Sequence, residues 1–298
     1  MLDWNTPKLS DKEWIEKCVK ESQYIGSDAA FANIYLLRSK YNIKVTYYKD
    51  LLIRYYEGLG NRKGYTFPLG RKDVLSALYA IEQDAKEMNR PLEFCFVTEE
   101  QKEILENTFA GRTESSSDAG DYDYIYGPPE LSLLSGRTYH KKKNHVSKFK
   151  RTYEDYMFCE IGNGNLDDVM LIEDEWYYDR LQQDDTSAMK EYEAIREAVD
   201  NFEELSLSGG IIYANNVPVA MTIASYINDA AVDIHFEKAV GEYAVNGGFA
   251  AINQMYASTL KDVKFINREE DINIPGLRKA KESYHPKFML KKYGVRVK

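Results

Sequence analysis

Cysteine is scarce in this chain of 298 residues: Cys18, Cys95 and Cys159 lie far apart and form no Cys-x-x-Cys pair. That spacing argues against a disulfide framework and a structural zinc site, and it fits a reducing compartment. Histidine is nearly as rare, with four residues, and none stands at metal-ligand spacing from a cysteine, so no metal is expected. Long apolar runs are missing as well; none approaches the roughly 18 residues needed to cross a bilayer. The opening MLDWNTPKLSDKEW lacks the basic-then-apolar order of a secretion signal. A cytoplasmic protein is the expectation.

Tyrosine, by contrast, is in surplus, at 24 against 12 Phe and 3 Trp. A tyrosine packs through its ring and keeps a hydroxyl for water or ligand, so the surplus suits half-buried strands or a polar-aromatic cleft. The net charge of −9 disfavours a general nucleic-acid coat, but the charges are sorted along the chain. Residues 137–151 hold seven Lys/Arg and no carboxylate, whereas 167–204 hold fourteen Asp/Glu against three Lys/Arg. Such blocks are either two solvated faces or a local anion site on an acidic body.

Periodicity predicts mixed α and β structure. A helix over 11–22, opened by Ser10, is followed by three β-rich stretches with glycine punctuation, YNIKVTYYKD, LLIRYYEG and KGYTFPLG. Val74, Leu75, Leu78, Ile81, Ala85 and Met88 recur at helical spacing. LEFCFV then reads as a strand, TEEQKEILENTF as a helix, ESSSDAGD as a polar loop and YDYIY as a strand. Gly127-Pro128-Pro129 interrupts the pattern, because neither proline can donate to a ladder or continue a helix. After it the order restarts: a basic helical segment over 131–153, a strand YMFCEIG and two acidic helices over 167–201. Three strands follow, turning at Asn215-Asn216 and Asn228-Asp229, then a helix over 249–260, a strand VKFIN and a basic tail. Two domains, 1–127 and 128–298, with one α+β topology used twice, are the simplest account.

Four groups of residues carry candidate chemistry. The loop Ala244-Val245-Asn246-Gly247-Gly248 joins a strand to a helix N-terminus, where free N–H groups and the helix dipole favour an anion; glycines also occur there for packing alone. His235 and Glu237 alternate on one strand, which puts them on one face and Lys238 on the other. The pair reads as a base with its orienting carboxylate, or as a structural strand histidine. Asn267-Arg268-Glu269-Glu270-Asp271 follows a strand. It is either a solvated turn or a site where Arg268 grips an oxyanion bidentately while a carboxylate such as Glu269 holds an attacking amine. Lys141, Asn144, His145 and Lys148 line one face of a helix that also carries Lys142 and Lys143; solvated face and polyanion site are both open.

The segments YHKKKNHVSKF (139–149), DIHFEKA (233–239) and INREEDINIPGLRKAKESYHPKF (266–288) resemble a bacterial family related to the C-terminal domain of phosphatidylglycerol lysyltransferases. The likeness extends more distantly to Fem-type peptidoglycan aminoacyltransferases. It implies two tandem GNAT-like (acyl-CoA N-acyltransferase) domains, each a mixed, mostly antiparallel sheet with flanking helices. It further implies transfer of an aminoacyl or other activated acyl group to an amine or hydroxyl, without a covalent enzyme intermediate. The donor, an aminoacyl-tRNA or an acyl-CoA, would lie along 244–248 with Arg268 and Arg278, and no cofactor would be tightly bound. Glu242 stands where an acetyl-CoA loop carries positive charge. A non-catalytic protein that binds RNA or an anionic metabolite, and an acetyl-CoA-dependent N-acetyltransferase, are the alternatives.

Overall fold

The computed structural model describes residues 2–181 and 188–298. Helices α1 (Lys12–Ser22) and α2 (Phe31–Leu36) precede a meander of β1 (Lys44–Tyr48), β2 (Leu51–Glu57) and β3 (Lys63–Thr66). Helix α3 (Val74–Glu87), strand β4 (Leu92–Val97), helix α4 (Glu99–Thr108) and strands β5 (Thr113–Ser117) and β6 (Asp123–Tyr126) complete the first half. The second half opens with α5 (Pro128–Leu133), α6 (His140–Thr152), β7 (Met157–Glu160), α7 (Leu166–Leu181) and α8 (Ala188–Asp200). It continues through β8 (Ser208–Ala214), β9 (Val217–Asn228), β10 (Ala231–Ala239), α9 (Gly241–Val245), α10 (Gly248–Ala257) and β11 (Phe265–Asn267). Helix α11 (Pro275–Glu282) and strands β12 (Phe288–Leu290) and β13 (Tyr293–Val297) end it.

Local chemistry accounts for much of this order. Asp73 caps α3 by accepting from the Leu75 N–H at 3.0 Å, and Ala77, Leu78, Ile81 and Ala85 form its buried stripe. Thr98 and Gln101 close a reciprocal capping box on α4. Asn215 and Asn216 both take positive φ, the geometry of a two-residue hairpin turn between β8 and β9. Helix α1 starts at Lys12 after a short 3₁₀ turn, so Asp11 rather than Ser10 precedes it. The ESSSDAGD segment differs from expectation, since Thr113–Ser117 is an exposed strand rather than a loop. Its partner is β13, far away in sequence, and its own side chains show no apolar alternation that would reveal the pairing.

Two mixed sheets result, ordered β1-β2-β3-β4-β13-β5 and β12-β6-β11-β10-β9-β8-β7. Each holds one parallel pair, β3 with β4 and β10 with β11. The sheets exchange strands: β6, last of the first half, lies between β11 and β12, while β13, last of the second, lies between β4 and β5. The break at Gly127 therefore divides the sequence while each sheet draws a strand from across it. Helices α3 and α4 cover the outer face of the first sheet, and α5, α6 and α10 that of the second. An apolar cluster between the sheets joins Ile15, Phe31, Leu52 and Ile172 to Met221, Ile223 and Ala231. At one end of that layer the packing turns polar.

Candidate active site

Strands β10 and β11 pair only at Ala231–Phe265, Val232–Ile266 and Asp233–Asn267. Beyond that point the pairing ends, and the chain on both sides carries the candidate residues. Against β9, strand β10 carries a bulge: Ile234 faces Ala224 and Phe236 faces Ile223, leaving His235 as the extra residue. One extra residue shifts the period-two count. Ile234 and Glu237 face Ala224 and Thr222, which share a face; Asp233 and Lys238 face Ser225 and Met221 on the other. This corrects the expectation from simple alternation: His235 stays with Asp233, and Glu237 lies on the opposite face.

The face toward the first sheet gathers His235, Asp233, Glu269 and Asn33. The His235 ring is wholly buried, with Nε2 2.7 Å from Ser225 Oγ and Nδ1 3.1 Å from Asn33 Oδ1. Nδ1 also lies 3.4 Å from Asp233 and 3.8 Å from Glu269. Asn33 Nδ2 has two hydrogens but three acceptors, the Ser27 carbonyl at 3.0 Å and Asp233 and Glu269 at 2.9 Å each. Asp233 Oδ1 is buried with no partner. Burial, with Glu269 and Asp123 close by, pushes the Asp233 carboxyl well above the usual carboxylate range. The cluster thus has more acceptors than protons to fill them. Its His and two carboxylates bring ligand atoms within 4.8 Å of one another, as a metal site would; the Asn33 amide donates between the carboxylates instead. Glu269 is the member that reaches outward, about a quarter exposed. Its backbone sits at φ 55° and its N–H donates to Asn267 Oδ1 at 2.7 Å, so a costly conformation is enforced locally.

A buried ionic network supports this face from behind. Asp123 accepts from the Ser27 N–H at 2.8 Å, from Asn267 Nδ2 at 2.8 Å and from Lys292 Nζ at 2.7 Å. Lys292 also reaches Asp28 at 3.1 Å, and Asp28 pairs with Arg54 at 3.0 Å. Two neighbouring cations hold Asp28 below the ordinary carboxylate value despite its burial. Because the turn before α2, β2, β6, β11 and the segment before β13 all contribute, the two halves build this region together.

The opposite face is cationic and aromatic. Arg268 Nη2 donates to Glu237 at 2.7 Å, and Asn253 of α10 donates to the other Glu237 oxygen at 3.1 Å. The Arg268 guanidinium lies 4.8 Å from the Tyr284 ring centre and 5.8 Å from that of Tyr126. Lys142 comes down from α6 to within 3.8 Å of the same Tyr284 ring. Burial, then Arg268, lowers its ammonium to about 8.

Other expected residues have different surroundings. Lys141, Lys143, Asn144, His145 and Lys148 are exposed on α6. Gly247 has φ 103°, and a Cβ there would lie 2.3 Å from the His145 carbonyl oxygen, so its glycine serves the packing of α10 on α6. Gly248 is likewise tight, a Cβ meeting the Tyr243 carbonyl oxygen at 2.8 Å. Asn246 donates to the Tyr153 hydroxyl, while Ala244 and Val245 border the same turn, Val245 exposed. Arg278 forms a bidentate pair with Asp271, 2.8 Å for each bond, and braces its own loop. Sequence reasoning missed Asn33, Asp233, Ser225, Asp123 and Lys292. Asn33 had one visible signal, as a lone amide in the apolar run AAFANIYLL.

No curated protein matches the chain significantly. Among solved structures, a conserved Bacteroides thetaiotaomicron protein of unknown function is 30% identical with a TM-score of 0.93, each chain covered in full. L-PGS from Bacillus licheniformis is 14% identical with a TM-score of 0.67, covering 96% of this chain and 92% of that one. FemX is 8% identical with a TM-score of 0.58, covering 100% and 98%. These likenesses show the fold to be the α+β, tandem GNAT-like one that the resemblance implied. The model of the family described as phosphatidylglycerol lysyltransferase, C-terminal, matches residues 20–296, and the chain belongs to that family.

Proposed function

We propose that this protein is an acyltransferase that moves an aminoacyl or other activated acyl group onto an amine or hydroxyl, with Glu269 as the base. The observation that carries this reading is the placement of a partly exposed carboxylate, backed by buried His235 and Asp233, where β10 and β11 part. An acceptor N–H or O–H bonds to Glu269, and its lone pair attacks the acyl carbonyl carbon as the proton passes to the carboxylate. The bond from carbonyl carbon to the carrier then breaks, and the carrier leaves with the electron pair and takes up that proton. Asn33, itself bonded to His235, holds Glu269 in place, and no protein nucleophile is needed. The donor is an aminoacyl-tRNA or an acyl-CoA. A tRNA would meet the exposed Lys141, Lys143 and Lys148, and its binding would weaken steeply with salt.

Label transfer decides it. The protein is incubated with tRNA carrying radiolabelled amino acids, or with labelled acyl-CoA, and a panel of small amines and alcohols. Label is expected in the acceptor pool from one donor class, and Glu269→Gln should slow it roughly 10²–10⁴-fold without lowering the melting temperature. Transfer from neither donor, or a Glu269→Gln protein as fast as the parent, would sink the proposal.

A further inference from the structure

We propose that Arg268 and Lys142, brought together at the Tyr284 ring, form a binding site for a phosphate group of the substrate. The proposal deepens the acyl-transfer reading by naming a substrate class, and takes from it only the position of the site where the β10–β11 pairing ends.

Arg268 is one-tenth exposed, and Glu237 occupies one end of its guanidinium. The other end, Nη1, is buried with no hydrogen-bond partner. A buried guanidinium nitrogen left unbonded is costly, so such atoms are rare without a purpose. Lys142 adds a second cation to the same ring, and no carboxylate lies within ion-pair distance of it among the described residues. Among the described residues Glu237 is the acid that bears on it, against the positive charge of Arg268. One carboxylate against two half-enclosed cations leaves a positive excess, which an oxyanion would balance. Asn253, whose Nδ2 donates to the same Glu237, also has a buried Oδ1 without a partner. Glu237 already supplies the planar carboxylate that fits one guanidinium edge. The remaining arrangement, Nη1 on one residue and an ammonium on another, suits an anion whose oxygens point in several directions, as those of phosphate do. The site lies at the β10–β11 opening, on the face opposite Glu269. A phosphate held there leaves the rest of its molecule free to pass between the strands toward the base.

Inorganic phosphate is the probe, titrated calorimetrically at pH 8 into the whole chain. Saturable binding is expected. Lys142→Met should weaken it tenfold or more and leave melting unchanged or higher, since a buried cation is removed. Lys141→Met and Lys143→Met, exposed on the same helix, should bind as the parent does. The groups facing Lys142 are Arg268, Glu237, Tyr284 and, on its own helix, His145. With its ammonium near 8, Lys142 is about half neutral at that pH, so an incoming anion should draw a proton onto it; buffers of different ionisation heat read this uptake. Arg268→Gln tests the second cation, and should it fail to fold, Lys142→Met still decides. Absence of saturable phosphate binding, or unaltered binding by Lys142→Met, overturns the proposal. Equal affinity for acetate would make the site a carboxylate site and overturn it too. Phosphate binding is read without turnover, so a protein that binds phosphate but transfers no acyl group fails the catalytic reading alone.

Discussion

Buried charge at single positions sets how this protein should answer pH. Glu173 on α7 is 1% exposed, and its Oε2 has no partner. Burial raises its carboxyl from the ordinary value to about 7, with Lys238 opposing the shift only in part. The folded state therefore holds a proton that the unfolded chain releases near pH 4.5. Stability falls as pH rises between roughly 4.5 and 7, then levels off once both states are ionised. Glu173→Gln keeps the shape and removes the charge. It should melt with the parent at pH 4.5 and, at pH 8, be more stable by about 1–2 kcal/mol, a few degrees. Thermal melts of both proteins at the two pH values check this; a variant less stable at pH 8 would show that the ionised group is favourably paired.

Elements were legible from sequence where their pattern is local. Helix α3 announces itself by apolar spacing, and the β8–β9 hairpin by its Asn pair. The bulge at His235 left no such trace, because DIHFEKA alternates equally well with or without an extra residue; only the register against β9 reveals it. One slipped residue moved Glu237 to the far face and left Asp233 as the near neighbour of His235. Arg268 and Glu269 were visible as neighbouring charges after a strand, yet Asn33, which donates to Glu269, stands 236 residues away along the chain, beyond the reach of any window. The glycine loop shows how one composition serves two ends. Gly247→Ala should destabilise by about 2–4 kcal/mol, from a forbidden backbone region and a collision with the His145 carbonyl. Gly276→Ala, in α11 with nothing within 4 Å, should be neutral or stabilise by about 0.5–1 kcal/mol. Denaturant melts compare them, and similar losses for both would remove packing as the reason for Gly247.

Across the whole molecule, the reciprocal strands join what the sequence divides. Without β13 the first sheet loses the only link between β4 and β5, and without β6 the second loses that between β11 and β12. Lys292, just before β13, also reaches Asp28 and Asp123 from the first half. Residues 1–127 and 128–298 produced separately should therefore not fold alone, and should regain structure on mixing; the intact chain should melt in one transition. Circular dichroism of each half reads this directly. A half that melts cooperatively by itself would show that each sheet is self-sufficient. The same exchange constrains the order of events during synthesis. Residues 113–117 leave the ribosome long before residues 293–297, with a delay on the order of ten seconds or more at ordinary elongation rates. Throughout that interval β5 has no neighbour, and its serine-rich, fully polar sequence keeps the waiting edge soluble.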